Sequence, residues 1–511
     1  MINKIFSHIF LASPILITSF FLPYSKFPAW AITLILSSLI VTLALCSYIF
    51  SNWKKEKAFG NLVINTIVVL ASISAIAYGL VQTSVRFGLF GKGIVAFSTV
   101  TFLSLVAAFF LASQYRGRAN KLIFYFSIFG VVVTLISFLL IKFLPVLGNY
   151  FAFATIPMVS FGLLLSYPLF FSLSTLLGSA ITFISDKKSF NFTYKFGSLF
   201  KYFYAALAIV LAITLVGNVL RFAAANYYLV ASNYAAENNL EMSKSALNTA
   251  IAIAPFDTYY LARAELTKND MALLLSSQAT DTEKLKADYT KLINFQIADA
   301  KRAVAYDNKN PQNYLALGLA YESAIPVIGE EGYLKALESY DAIRAIVTDK
   351  DYVDTIKAKL AFGAAKDEQG LLFLDNALSY NASSGPALYA SSQYFTAKKD
   401  FKLATEYAEK AVSAYPAAAD ARVNLGLLYF VNKELPKAIE QFKVAFKLNQ
   451  NDNISLYYLA AAYKANGNID FAKQVIEELA KRVGETEEVK NLKDGIYNST
   501  PTVEKKVETK K

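Results

Sequence analysis

The chain from Met1 to Phe222 consists of long apolar runs that are separated by short polar loops. A membrane-spanning helix needs about 20 mostly apolar residues to cross roughly 30 Å of hydrocarbon. Seven segments reach that length; they are approximately residues 5–23, 28–50, 60–81, 93–113, 122–144, a long one within 151–185, and 202–222. The pattern therefore predicts an all-α fold that begins with a polytopic bundle of about seven transmembrane helices at residues 1–223.

The segment at residues 151–185 leaves the number of crossings open. A helix over the whole segment would be about 52 Å long at 1.5 Å per residue, and Pro157 and Pro168 interrupt it. One crossing with an additional interfacial or re-entrant piece is the preferred interpretation. Two crossings would return the rest of the chain to the cytoplasm.

The loops between these segments differ in charge. One alternating set of loops carries eleven Lys and Arg residues, whereas the other set carries four. Because Lys and Arg are enriched in cytoplasmic loops, the N-terminus is predicted to lie in the cytoplasm and the chain after Phe222 outside it. The expected location is the cytoplasmic (inner) membrane, with multiple crossings.

From residue 224 the pattern changes to amphipathic helices that recur with a period of about 34 residues. In residues 419–452 the recurring positions hold Leu425, Gly426, Tyr429, Ala438, Phe442 and Ala445, and in residues 453–486 they hold Leu459, Ala460, Tyr463, Ala472, Ile476 and Leu479. This spacing of small and bulky residues over two helices is typical of the tetratricopeptide repeat. The sequence therefore predicts a solenoid of such repeats at residues 224–486.

Some parts of the repeat region fit less well. Tyr321 and Ala336 are further apart than the corresponding Tyr429 and Ala438, so Ile325–Gly329 is expected to leave the stack as a loop. Residues 351–384 are the poorest match. Residues 487–511 are charged and are predicted to form a disordered tail. Between Lys201 and Glu237 there is no Pro, so the last span and the first repeat helix are predicted to be one uninterrupted helix.

The outward positions of the first helices are the candidate partner-binding residues, because that side of a solenoid commonly takes a peptide or a partner helix. They are Leu315, Leu319, Glu322, Val423, Leu427, Phe430, Tyr457 and Lys464. No cluster of Lys, Arg and Asn occurs there, so the predicted groove is apolar and aromatic. The alternative is that these side chains only cover the solenoid or meet the membrane domain.

Composition narrows the candidate chemistry. The chain has 50 Lys and Arg against 39 Asp and Glu, yet only Glu56 and Asp186 are acidic before residue 223. A basic excess confined to an apolar half indicates membrane loops and not nucleic-acid binding. One Cys, Cys46, and one His, His8, exclude an internal disulfide and a multi-ligand Cys or His metal site. No cofactor and no metal are predicted.

The predicted membrane half offers little for catalysis. No Asp or Glu lies within its seven apolar segments, and intramembrane carboxylates are the usual markers of transport pathways. Arg86 is the one candidate catalytic residue, since it could hold a phosphate or an anionic lipid head group. The alternative is an ordinary basic loop.

Taken together, a polytopic domain that runs directly into tetratricopeptide repeats resembles bacterial O-antigen ligase/polymerase-like membrane proteins with C-terminal repeats. The resemblance is best from Phe222 to Pro311 and from Lys301 to Tyr321. It implies a role in cell-envelope glycan assembly at the outer face of the membrane. This chain has fewer predicted spans than that family and lacks its large outer loop with basic and His residues.

The sequence thus favours a non-enzymatic, membrane-embedded scaffold in cell-envelope assembly. Its expected partners are the lipid bilayer and an envelope protein or peptide in the repeat groove, with no nucleic acid. The alternative is a reduced glycan ligase or polymerase that acts on lipid-linked glycans.

Overall fold

The structure is a computed structural model. It describes residues 8–13, 29–55, 62–81, 99–143, 169–182, 197–276 and 282–498, and every regular element among them is an α-helix. Contacts divide the chain into two compact units, Met1–Leu266 and Thr267–Lys511. The predicted domain boundary at residue 223 lies within a helix.

The first unit contains a short helical piece at residues 8–13 and longer helices. These are α1 (Ala29–Asn52), α2 (Leu62–Val81), α3 (Thr99–Ser113), α4 (Gly117–Phe143), α5 (Leu169–Thr182), α6 (Gly197–Ala236), α7 (Leu240–Ile253) and the start of α8 (Asp257–Ser276). Helices α1, α3 and α6 contact one another. Their core includes Phe110, whose ring stacks on that of Tyr204 at 3.8 Å between centroids, and Tyr204 donates a hydrogen bond to Asn65 on α2 (2.9 Å).

The prediction of a seven-span bundle is wrong. Among the residues whose side chains the structure describes, one helix is long and apolar enough to cross a membrane, and it comprises Leu199–Ala236. The other apolar helical stretches there have 10–17 residues: Ser37–Asn52, Ile64–Ser74, Phe102–Ser113 and Leu169–Thr182. Buried residues of these stretches, such as Leu45, Val68 and Phe110, pack together in one core.

Helix α6 confirms the prediction of an uninterrupted helix across residues 201–237, since it runs for 40 residues to Ala236. Its C-terminal part packs against α7 and α8 through the buried residues Ala224, Ala231, Leu247 and Ala250. The first repeat is therefore the pair α6–α7.

The second unit continues with paired helices. These are α9 (Thr282–Tyr306), α10 (Pro311–Ile328), α11 (Glu330–Arg344), α12 (Lys350–Gly363), α13 (Asp367–Tyr380), α14 (Gly385–Ala397), α15 (Phe401–Ala414), α16 (Ala419–Val431), α17 (Leu435–Leu448), α18 (Asn453–Ala465), α19 (Ile469–Val483) and α20 (Glu487–Tyr497). The second helices α13, α15, α17 and α19 begin at Asp367, Phe401, Leu435 and Ile469, which are equally spaced along the chain. Their spacing is the tetratricopeptide period, so the predicted repeat is confirmed.

The turn inside each of the last four pairs, from α12–α13 to α18–α19, also repeats. Ala365, Lys399, Lys433 and Gly467 have φ angles of 58–80° and are spaced by the same period as the helices. The residue after each of them donates a backbone hydrogen bond to a carbonyl five residues back, as from Glu434 to Tyr429 (2.8 Å). This left-handed turn ends the first helix of each of these pairs.

Two parts of the repeat region that fit the pattern less well are regular helices in the structure. Ile325–Ile328 does not form a loop but extends α10 to 18 residues, ending at Gly329 with φ 59°. Residues 351–384 form a regular pair despite their poor match, because Gly370 on the second helix closely approaches the ring of Phe362 on the first. In the matched pair α16–α17 the glycine is on the first helix and the ring on the second.

The prediction of disorder is also wrong for residues 487–497. Residues 487–497 form α20, which is capped by Thr486 through a hydrogen bond from the Val489 amide. Val489 and Ile496 are buried in the core shared with α18 and α19. The amphipathic spacing of these two residues makes α20 a capping helix, and residues 499–511 lie outside the described part.

Candidate functional site

The candidate site in the second unit is the outward side of the first helices α10, α12, α14, α16 and α18, which we name the first-helix face. Its residues include Leu315, Leu319, Tyr352, Tyr389, Gln393, Val423, Leu427, Phe430, Val431, Ile454 and Tyr457. The repeat positions them, because Tyr389, Val423 and Tyr457 are each one repeat apart and occupy the same place on α14, α16 and α18.

Neighbouring first helices hold one another in place. Helix α12 contacts α14, and α16 contacts α18. Between α14 and α16 the Asn424 side-chain amide donates a hydrogen bond to the Ser392 hydroxyl (2.7 Å). The side chains of the face are therefore carried on rigid elements, which is the arrangement that favours pre-organised binding.

Five of the eight predicted partner-binding residues pack against three buried clusters. Val423, Leu427 and Phe430 are half-buried against the core of α15–α18. Tyr457 packs on the core that includes α20. Leu315 packs on a core that includes buried residues of α9–α12, and Leu319 on the same helix is exposed.

The two charged residues among them contact neighbouring helices. Glu322 accepts a hydrogen bond from the Tyr340 hydroxyl of α11 (3.1 Å), and burial together with Glu322 raises the pKa of Tyr340. The ammonium group of Lys464 lies directly against the Gly495 backbone of α20. Both residues therefore contribute to helix packing as well as to the face.

Several residues of the face were missed by the sequence prediction. Tyr352 and Tyr389 lie on α12 and α14, the first helices of the pairs at residues 351–384 and 385–418. Burial, with Asp420 nearby, raises the pKa of Tyr389, so its hydroxyl stays neutral. Tyr389 and Gln393 occupy the positions one repeat before Val423 and Leu427, and this period was the available signal.

A second polar group lies between α11, α12 and α13. The buried carboxylate of Asp354 pairs with Arg344, which also donates to the Tyr380 hydroxyl (2.6 Å). Lys357 pairs with Asp341 (2.7 Å). Burial raises the pKa of Asp354, and Arg344 opposes this rise. These contacts join two consecutive pairs, so the group is an interface between repeats.

The remaining candidates give no further site. Arg86 lies outside the described residues. In the part of the chain that the structure describes, no group of three or more His, Cys, Asp and Glu side chains could hold a metal ion.

Comparison with known proteins found no matching family model and no matching curated protein. Similar solved structures include a tetratricopeptide repeat protein from Parabacteroides merdae (12% identity, 54% of this chain, 99% of that chain, TM-score 0.34). They also include PilW, a type IV pilus biogenesis factor (20% identity, 41% of this chain, 95% of that chain, TM-score 0.32). A third is yeast Tom70 (12% identity, 92% of this chain, 96% of that chain, TM-score 0.42). None of the three is named as an O-antigen ligase or polymerase.

At these identities and TM-scores the repeat assignment depends on the structure itself. It rests on the paired helices, their constant spacing and the recurring left-handed turn. The chain therefore contains tetratricopeptide repeats, a fold whose general role is protein–protein interaction.

Proposed function

We propose that the protein is a membrane-anchored scaffold of the cell envelope that binds an apolar segment of a partner protein on its first-helix face. The observation that carries this proposal is the set of large apolar side chains left in solvent there. Leu319, Tyr352, Val431 and Ile454 are 44–59% exposed. Covering apolar surface contributes roughly 25 cal/mol per Å², so such a face favours an apolar partner.

The chemistry of the face favours an amphipathic helix or apolar peptide as the occupant. The outward residues of α14 and α16 are mainly Tyr, Val, Leu and Phe, and no group of Lys and Arg accompanies them. Aromatic anchors of this type dominate the energetics of protein interfaces. A partner recognised chiefly by its carboxylates would need paired cations instead.

Helix α6 supports the membrane part of the proposal. Ile209, Ile213 and Val216 are 59–66% exposed on it, and 38 residues exceed the roughly 20 that one crossing needs. Lys54 and Lys55, which follow α1, and Lys201 near the start of α6 are basic. By the positive-inside rule, the N-terminal end of α6 would face the cytoplasm and the repeats that follow α6 the outside.

The glycan-ligase alternative rests on one candidate residue, Arg86, which lies outside the described residues. The cell-envelope location follows from the proposed orientation of α6. It can be checked by fusing a reporter that is active only in the cytoplasm after Lys511. A silent reporter is expected, and a strong signal would contradict the location.

Site-specific photo-crosslinking tests the scaffold function. A photoreactive amino acid at Leu427 or Tyr457 should capture the same partner, whereas one at Lys402, exposed on the second helix α15, should capture none. Leu427→Glu should abolish co-purification of that partner without reducing the helical signal in circular dichroism. Equal capture from Lys402, or none from the face, would refute the proposal.

A further inference from the structure

An apolar groove lies between α1 and α6 in the first unit. Its volume is about 820 Å³, within the range of about 300–1,000 Å³ that is usual for ligand sites. Ile49 and Phe50 of α1 form one wall, and Ala205, Ala208 and Ala212 of α6 form the other. We call this feature the α1–α6 groove.

The groove exists because three alanines face α1. Residues 205, 208 and 212 are separated by three and four positions, so they share one face of α6. Their methyl groups leave a trough about 10 Å long between the helices. Cys46 borders the groove at the end away from the loop after α1, and Phe50 on its rim is strongly exposed.

The other end of the groove is basic and aromatic. Lys54 and Lys55 line it beside Trp53. The Trp53 ring meets the Tyr202 ring edge-on at 5.6 Å between centroids, and Lys201 Nζ lies 5.2 Å from each ring centroid. Three lysines therefore lie at this end, and Glu56, the one acidic residue next to them in the sequence, lies outside the described residues.

We propose that the α1–α6 groove binds an anionic phospholipid. One acyl chain lies along Ala205, Ala208 and Ala212, and the phosphate is held by Lys54, Lys55 and Lys201. The groove matches a phospholipid in polarity along its length. Its apolar part suits an acyl chain, and its other end carries cations together with Trp and Tyr, the residues enriched at membrane interfaces. The inference rests on the proposed membrane location and adds lipid selectivity to it.

Trp53 and Cys46 report on the two ends of the groove. In a Trp30→Phe background Trp53 is the only tryptophan, and Cys46 is the only cysteine. The full chain in neutral detergent is titrated with phosphatidylglycerol or phosphatidylcholine brominated on the acyl chain. We expect phosphatidylglycerol to quench Trp53 and to slow alkylation of Cys46 by a bulky maleimide, with weaker effects of phosphatidylcholine.

Two pairs of variants separate the parts of the site. Lys54→Gln with Lys55→Gln should weaken phosphatidylglycerol binding about 30-fold. The matched control Lys402→Gln with Lys443→Gln, two exposed lysines of the second unit, should leave it unchanged. Ala212→Leu should fill the trough and remove quenching by both lipids, whereas Ala206→Leu, which is exposed outside the groove, should not.

Several results would overturn the lipid site. These are equal binding of both lipids, quenching that survives Ala212→Leu, or tighter binding of an isoprenyl phosphate than of phosphatidylglycerol. Because the titration is made in detergent, it does not depend on membrane topology. A chain that sediments with membranes but fails the titration refutes the groove alone, whereas a chain absent from membranes refutes the proposed location.

Discussion

Gly426 of α16 lies against the ring of Phe442 of α17, and a Cβ atom at Gly426 would come within 2.7 Å of the Phe442 Cε1 atom. The Phe442 side chain is fully buried. Two helices can approach this closely only where one of them carries no side chain. The same relationship joins Gly318 to Tyr340 and, with the helices exchanged, Gly370 to Phe362.

Gly426→Ala should therefore destabilise the pair α16–α17. Overpacking costs about 1–3 kcal/mol, and the better helix propensity of Ala returns about 1 kcal/mol, so a net loss of up to about 2 kcal/mol is expected. Hydrogen exchange of peptides from α16 and α17 measures it. The control is Gly363→Ala, since a Cβ there meets no atom within 4 Å. Equal protection in the two variants would contradict the packing argument.

The sequence contains the repeat because close packing needs small residues at fixed positions. Gly426 and Ala438 occupy the usual repeat positions, so the pair α16–α17 is recognised from the sequence. In the pair α12–α13 the glycine, Gly370, is on the second helix and the ring, Phe362, is on the first, so the usual pattern does not identify this pair. The number of membrane spans predicted from the apolar runs was wrong. Hydropathy does not distinguish an apolar residue that faces lipid from one that is buried against another helix, as Phe110 is.

The candidate site was predictable only where the repeats matched well. Val423, Leu427 and Phe430 follow from the position of Leu425 and Gly426. Tyr352 belongs to the poorly matched pair, so its outward direction could not be assigned. The α1–α6 groove was not predictable, because it depends on which helices of the first unit contact each other.

Ala365→Gly should stabilise the pair α12–α13. Ala365 has φ 58°, and a left-handed conformation costs an L-residue roughly 1–2 kcal/mol. Because glycine loses more backbone entropy on folding, the expected gain is about 1 kcal/mol. Gly467 has φ 80° at the equivalent turn of the pair α18–α19, so Gly467→Ala should lower the stability of that pair. Hydrogen exchange of α13 and α19 measures both, and a shift in one direction for both variants would contradict the argument.

Arg344→Met should destabilise the second unit, because it leaves the buried carboxylate of Asp354 without its main partner. Breaking a buried pair costs about 3–5 kcal/mol. The double variant Arg344→Met with Asp354→Leu should recover most of this loss. Chemical denaturation followed by circular dichroism measures each variant, and a double variant no better than the single one would contradict the argument.

The loss in Arg344→Met should depend on pH. Burial raises the pKa of Asp354 above its ordinary value of 3.8, so the folded state binds this proton more tightly than the unfolded state. Stability from this group is then present below 3.8 and is lost as the pH rises through the folded pKa. Without Arg344 the pKa rises further. The variant should therefore be closest to the wild type near pH 4 and furthest from it at pH 7.

Acid should release the capping helix α20 from α19. Glu477 accepts a hydrogen bond from the Tyr497 hydroxyl (2.8 Å), Lys493 Nζ lies 3.2 Å from its carboxylate, and these contacts lower the pKa of Glu477. A lowered carboxyl pKa means that the folded state releases this proton more readily. The stabilisation is therefore present above the ordinary value of 4.5 and is lost as the pH falls through the lowered pKa.

Hydrogen exchange of residues 487–497 measures this release, with rates corrected for intrinsic pH dependence. Wild-type α20 should lose protection on acidification below pH 4.5, while Glu477→Gln should be less protected at pH 7 and change little with acid. Glu478→Gln is the matched control, because Glu478 pairs with Arg482 on its own helix and not with α20. If Glu478→Gln released α20 as strongly as Glu477→Gln, general loss of negative charge on α19, and not the contacts to Tyr497 and Lys493, would control the capping helix.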